Sequence, residues 1–421
     1  MESTKLWNRD FTLLVTGQII SIFGNMILSF ALPLYILYIS GSAALFGIVL
    51  GLTNIPLLIM SPIGGMIADR FRKQRVMFWL DASTTVLILA YIAASGFVTA
   101  ILPIVIVKLM SLNAIQGVYM PAVSSSVPLL VKGEKLVSAN AVVNLVNSLS
   151  GMAGMAIAGL LFAEFGLFPI LVASAVCFAI TAVMDLFIRV PFTPQDSTGG
   201  IVKIVKGDLT QSFNFMKEKS IILKCAVAAF MLSVTLLSMM LVGIPVLVTQ
   251  NLGMGMEFVG ISQSFMMSGG VIGGIAVGIL GSKLKITNAY VPIILSGIVL
   301  IPIGLAFLLN APYFVTYIVI TAACTLALAF VTAANVQVVS FIQQETPAEL
   351  IGKVISLVVM LPFLANALGQ FVYGIAFEQL VAIPYTIVFF TAVTVVVIGV
   401  YVRSSFKADK VNPSLILQPV D

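Results

Sequence analysis

Apolar runs long enough to cross a bilayer recur along this chain from about residue 11 to about residue 402. A hydrocarbon core takes roughly 20 residues of helix to span, and inside it no backbone N–H or C=O can go without a partner. Such runs must be helices or barrel strands. The alternation of apolar and polar residues that a barrel strand needs is missing, and the runs are too long for strands. Composition agrees, since 60% of the 421 residues are hydrophobic and 9% are charged, against about 25% charged in soluble domains. The sequence specifies an all-α integral membrane protein.

Glycine, proline and charge divide the runs into twelve expected spans, near 11–39, 45–67, 76–97, 101–129, 138–163, 167–188, 221–249, 258–280, 287–309, 313–342, 354–377 and 383–402. The first is too long, and lacks a small-residue cleavage site, for a removable signal peptide. The connections at 40–44, 98–100, 164–166, 250–257, 310–312 and 378–382 contain no Lys or Arg. Lys5, Arg9, the 70–75 turn, Lys132, Lys135, Lys283, Lys285, Lys353, Arg403, Lys407 and Lys410 all fall on the other side. Basic loops stay in the cytoplasm, so both termini are expected there, in a multi-pass protein of the cell membrane. The net charge of +5 then reflects topology, not a nucleic-acid partner.

Cys177, Cys225 and Cys324 are isolated in apolar segments and there is no histidine. No metal-ligand cluster, nucleophile–base set or phosphate loop is visible, so neither a cofactor nor an enzyme is expected.

The longest polar interval, about 190–220, divides the chain into a six-span half at 1–189, a linker, a second half at 221–402 and a tail at 403–421. Within the linker, Ile201, Val205, Leu209, Phe213 and Met216 recur at helical spacing among lysines, which predicts an amphipathic helix on the inner membrane surface. The halves repeat. Gly47 and Gly65 return as Gly260 and Gly278, and Arg70 as Lys283, at an offset of 213; Glu134, Gly154 and Gly159 return as Glu349, Gly369 and Gly374 at 215. Same-direction repeats of this kind mark a transporter built from two pseudo-symmetric halves, with its site near mid-membrane.

Between the second and third spans lies Gly65-x-x-x-Asp69-Arg70-x-x-Lys73-x-Arg75. This turn resembles the signature of the major facilitator superfamily. With Gly17-Gln18, Gly41-Ser42-Ala43 and the 121–128 segment PAVSSSVP, the chain is most similar to the macrolide-efflux and siderophore-exporter branch. The resemblance implies the major facilitator fold, alternating access and export of an amphipathic small molecule. It also implies that Asp69 faces the N-terminus of the eleventh span, where a helix dipole favours an anion. Three departures bear on proton coupling and not on the fold: Arg72 replaces the usual glycine, Gly154-Met155 and Ala158-Gly159 replace the antiporter pattern, and Lys108 lies about a turn from an expected arginine.

The candidate residues follow. Gly65, Asp69, Arg70, Lys73, Arg75 and Glu134 form a candidate conformational latch, with Gly65 allowing close approach to a neighbouring helix. Polar side chains on apolar spans face protein or a water-filled cavity, which nominates Gln18, Asn25, Asn113, Gln116, Asn335 and Lys108 for a substrate cavity; interhelical hydrogen bonding is the competing role. No acid stands plainly at mid-membrane, and Asp10 and Asp81 are the coupling candidates; Asp185 is read as an i,i+4 pair with Arg189. Gly270, Gly274 and Gly278 form a small-residue ridge expected to slide on Gly154 and Gly159 of the fifth span. The expected partners are a small-molecule substrate, protons and membrane lipids, with the chain a monomer. A lipid or lysolipid flippase is the alternative function, and a transporter-derived sensor or scaffold a more distant one.

Overall fold

The computed structural model describes residues 6–95, 101–132, 135–191, 201–280, 286–347 and 350–408. In chain order, α1 spans Arg9–Ser40, α2 Ala43–Arg70, α3 Lys73–Ser95, α4 Ile101–Leu130, α5 Lys135–Phe165, α6 Leu167–Asp185 and the linker helix α7 Ile201–Glu218. Then come α8, Ser220–Asn251, α9, Met256–Leu280, α10, Tyr290–Leu308, α11, Tyr313–Glu345, α12, Ile351–Gln379, and α13, Pro384–Ala408. Twelve of these, all but α7, are long and apolar enough to cross a membrane, and each coincides with one predicted span. No strand occurs among the described residues.

The helices stop where the sequence lets the backbone leave the right-handed helical region. Gly41 ends α1 at φ 63° and donates its N–H to the Leu37 carbonyl at 2.9 Å, a left-handed cap that a β-carbon would strain. At the other end of α1, Asn8 Oδ1 accepts the Phe11 N–H at 2.8 Å while its amide donates to the Leu130 carbonyl at 2.9 Å. One side chain therefore caps α1 and ties it to the end of α4.

Contacts divide the chain into two compact units. The first comprises residues 1–41, 52–199 and 256–264, the second 42–51, 200–255 and 265–421. This differs from a plain cut at the linker in two strips: the first turns of α2 belong with the second unit, and the first turns of α9 with the first. The linker helix belongs with the second.

In the first unit, α1 packs on α5 and α6, and α3 on α4 and α6. Phe11, Leu14, Met77, Tyr119, Ala122 and Val127 share its core. Gly64 and Gly117 let α2 and α4 close: a β-carbon on Gly64 would come within 2.6 Å of the Gly117 carbonyl. In the second unit, α12 packs on α8, and α13 on α10. There α8 is not uniform; its hydrogen bonding widens to π turns at Ser233–Leu237 and Leu247–Asn251, the second just after Pro245.

The linker helix forms where the spacing predicts; the side chains of Ile201, Val205 and Leu209 in its apolar stripe lie outside the described residues, and the other two stripe positions differ in burial. Met216 is fully buried and Ser212 nearly so, whereas Phe213 is 45% exposed. Its anchorage is polar as well as apolar: Lys353 of α12 donates to Gln211 Oε1 at 2.8 Å, and Lys219 pairs with Glu345 of α11 at 3.1 Å.

Candidate functional site

The second unit holds a partly open cavity of about 320 Å³, lined mainly by α8, α11 and α12. Its wall is mainly apolar, with Leu232, Val338 and Phe363 among its residues, and carries a few polar groups, Ser233, Thr332, Asn335 and Asn366. A predominantly apolar lining with sparse polar groups to set orientation is what small-molecule sites show. The local backbone explains the space. The π turn at Ser233–Leu237 disturbs the regular carbonyl register, and Ser238 Oγ lies 2.8 Å from the Ser233 carbonyl and 2.9 Å from Asn366 Oδ1. Gly369 lets α12 approach there, because a β-carbon on it would collide with the Ser238 side chain.

Of the residues nominated for the cavity, Asn335 lines this one. The others lie in the first unit. Asn25 is half-buried, with Ser29 Oγ 3.4 Å from its Oδ1; Asn113 donates to the Leu109 carbonyl at 3.1 Å, and Gln116 is half-buried. Gln18 is not part of an open polar stripe. It is 2% exposed and donates to the Tyr119 hydroxyl at 3.0 Å. Lys108 is 5% exposed, and its Nζ sits 4.1 Å from the centre of the Tyr91 ring, with no hydrogen-bond partner. The ring face lies within cation–π distance of the ammonium.

The two coupling candidates part company. Asp10 Oδ1 accepts the Arg189 N–H at 3.0 Å, which ties the chain after α6 to the start of α1. Asp81 is 1% exposed within the unit. Asp185 is not the i,i+4 partner of Arg189, because α6 ends at Asp185 and the chain turns away through Leu186; the carboxyl is 3% exposed.

In the basic turn, Lys73 is 8% exposed and donates to the Ala68 carbonyl at 2.7 Å, closing the end of α2. Asp69, Arg70 and Arg75 are exposed. Gly65 is not the close-approach position: a β-carbon there would meet nothing within 4 Å, and its neighbour Gly64 makes the contact instead. A one-residue step rotates a helix by about 100°, which moves the small surface to the other face. Glu134 lies outside the described residues.

The small-residue sets are also redistributed. Gly159 of α5 meets Gly260 of α9, and Gly154 meets Met26 of α1. On α9, Gly269 and Gly273 face the Thr325 and Ala329 carbonyls of α11, while a β-carbon on Gly274 or Gly278 would stand in open space and one on Gly270 would make ordinary contact with Thr332 and Leu328. The glycine that Gly159 of α5 meets is thus Gly260, in the first turns of α9.

Sequence reading missed Tyr119, Thr181, Ser233 and Thr332. A tyrosine or hydroxyl on an apolar span has no signature of its own. Asp185 did carry a signal, an acid ending a span with Thr181 one turn before it.

Twelve bilayer-length helices and a partly open, largely apolar cavity fit a polytopic membrane transporter. The chain belongs to the Major Facilitator Superfamily, whose sequence pattern matches residues 14–370. It is a transporter and not an enzyme. Macrolide efflux protein A of Streptococcus pyogenes is 26% identical over 389 residues, covering 88% of this chain and 89% of that protein. An uncharacterized MFS-type transporter of Bacillus subtilis (strain 168), YfiS, is 23% identical over 177 residues, 40% of each chain. Among solved structures, the nucleoside transporter NupG superposes with a TM-score of 0.71 at 13% identity over 95% of this chain and 100% of that one. A bacterial homologue of the human lysosomal transporter Spinster, solved inward-facing, gives 0.70 at 14% identity over 94% and 96%. At such identities the structural likeness speaks to the fold alone.

Proposed function

We propose that the protein is a secondary active exporter of an amphipathic small molecule of the drug or macrolide type, working by alternating access and coupled to protons. The observation that carries this reading is the apolar cavity with its few polar groups, Ser233, Thr332, Asn335 and Asn366. Such a lining suits a cargo that is mostly apolar and carries a few hydrogen-bonding groups. The relationship to macrolide efflux protein A over 88% of the chain supports the direction and the cargo class. The asymmetry of Lys and Arg between the two sets of loops supports a topology with both termini in the cytoplasm, in which the basic turn with Asp69 would be the latch on that side.

The test is accumulation of a macrolide, cationic and neutral dyes and a lysolipid in cells expressing the protein, with and without a protonophore. Lower macrolide or dye accumulation, restored by the protonophore, is expected. A lysolipid effect alone would assign the cavity to a flippase. Unchanged accumulation of every compound would overturn the exporter reading.

A further inference from the structure

Inside the first unit, four helices bring a closed polar cluster together. Asp81 of α3 and Asp185 of α6 are 1% and 3% exposed, and the Oδ2 atom of each has no hydrogen-bond partner. The two carboxyls and the hydroxyl of Tyr119 of α4, itself 3% exposed, lie within electrostatic reach of one another. That hydroxyl is hydrogen-bonded to Ser21 and to Gln18 Nε2, both on α1. Gln18 Oε1, on the same amide, is a third buried oxygen without a partner. Three buried acceptors near one tyrosine thus lack a donor from the protein.

The unit's cations lie elsewhere. On α3, Lys73 is committed to the Ala68 carbonyl, and a helix rise of 1.5 Å per residue puts it about 12 Å along the helix from Asp81. On α4, Lys108 rests on Tyr91, about 15 Å along α3 from Asp81. Arg189 is exposed and gives its backbone N–H to Asp10 at 3.0 Å. On α1, Arg9 and Asp10 precede Gln18 by about 12 Å or more; on α5, Lys135 and Glu164 stand at the two ends. Two buried carboxyls near each other, with no basic partner among the described residues, favour sharing a proton over carrying two charges.

Thr181 of α6 stands one turn before Asp185, with its Oγ1 3.0 Å from the Phe178 carbonyl, and its hydroxyl also hydrogen-bonds the Asp81 carboxyl of α3, which brings the two acids to one place on the packed faces of α3 and α6. We propose that Asp81 and Asp185, with Tyr119 and Gln18 against them, form a proton site whose occupancy is coupled to transport. Only O–H bonds change: the proton leaves a carboxyl oxygen for water and returns to the same pair. When it leaves, the carboxylate requires donors, Thr181 and Tyr119 reorient towards it, and the Gln18–Tyr119 bond between α1 and α4 is disturbed. The coupling half of this proposal rests on the secondary-transport reading above; the proton site itself does not.

The experiment uses the full-length protein and dicyclohexylcarbodiimide, an apolar reagent that adds to protonated carboxyls, with adducts mapped by mass spectrometry. Labelling of Asp81 or Asp185 at neutral pH is expected, falling as pH rises. Asp81→Asn and Asp185→Asn should each shift labelling of the remaining acid to lower pH by about one unit or more, because the partner's repulsion is gone. Absence of label on both acids in the unsubstituted protein would overturn the site, and so would labelling that ignores both pH and the partner's substitution. Protection by sodium or potassium at fixed pH would make it a metal-cation site instead and overturn it too. In vesicles, an imposed pH gradient should accelerate cargo movement by the unsubstituted protein but not by the Asp81→Asn, Asp185→Asn double variant, whatever its absolute rate. Equal acceleration in both would overturn the coupling role. If the unsubstituted protein moves no cargo tried, the transport reading fails while the labelling result stands.

Discussion

Gly159 of α5 and Gly260 of α9 lie so close that a β-carbon on either would come within 2.9 Å of the other's Cα. The repeat carries this contact into the second unit. Gly47 is the counterpart of Gly260 and Gly374 that of Gly159, and Gly47 and Gly374 meet there, a β-carbon on Gly47 reaching 2.7 Å from the Gly374 Cα. Two contacts that share no residue are thus the same contact by descent through the repeat.

Gly260→Leu should therefore be disruptive where Gly274→Leu is not. Over-packing a tight contact costs about 1–3 kcal/mol, and at Gly260 the obstruction is backbone, the Met155 carbonyl at 2.6 Å. Thermal unfolding of the purified protein should show a clear loss for Gly260→Leu. Gly274→Leu should leave stability within about 0.5 kcal/mol, since its β-carbon has no neighbour within 4 Å.

Lys108 and Tyr91 make a second measurable pair. Tyr91→Phe keeps the ring face beneath the ammonium and should change stability little. Tyr91→Ala removes it and leaves the buried Lys108 amine without a partner, at a cost on the order of 1–2 kcal/mol. Lys108→Met in the Tyr91→Ala background should recover part of that loss, which a double-mutant cycle on thermal unfolding reads directly.

Glu378 closes the start of α2 within the second unit: its Oε2 accepts the Ser42 hydroxyl at 2.9 Å and the Ala44 N–H at 3.0 Å. A carboxylate in this place both caps the helix and meets the positive end of its dipole. Glu378→Ala should cost about 0.5–2 kcal/mol, and Glu378→Gln less because it keeps an acceptor. Hydrogen exchange of the amides from residue 44 onwards would localise the loss.

The Lys219–Glu345 pair should disappoint by comparison. Its side chains are 48% and 30% exposed, so Glu345→Gln is expected to change stability by less than about 1 kcal/mol, with the difference shrinking further in high salt.

Asp69→Asn removes one charge from an exposed turn and should leave expression and thermal stability near those of the unsubstituted protein. Cargo efflux from loaded cells should nonetheless fall severalfold. Full efflux at normal expression would remove Asp69 from the latch.

Most of the architecture was legible because a bilayer leaves the backbone few options: run length gave the helices, and glycine and proline gave their ends. Helix rotation was not legible. Gly64 and Gly65 are adjacent small residues, and only packing shows that the first meets α4. The same limit hid the proton cluster. Asp81, Asp185, Tyr119 and Gln18 lie on four helices, and no spacing within one helix reveals that they share a centre. The fate of Asp185 turned on where α6 stops, since an i,i+4 rule holds only while the helix continues. Asn335 was nominated from a polar residue on an apolar span, and it does line a cavity; the π turn at Ser233–Leu237, two of whose residues line the same cavity, has no sequence signal comparable to a proline.

The strips exchanged at the starts of α2 and α9 have a practical consequence for anyone dissecting the molecule. Residues 42–51 are covalently part of the first six spans yet packed with the second unit, and residues 256–264 are the reverse. A fragment cut at the linker would leave Gly47 without Gly374 and Gly260 without Gly159. Each piece would then present a bare glycine-lined seam to lipid, a template for binding the missing piece or for self-association. Co-expressed fragments should therefore accumulate together far better than either does alone.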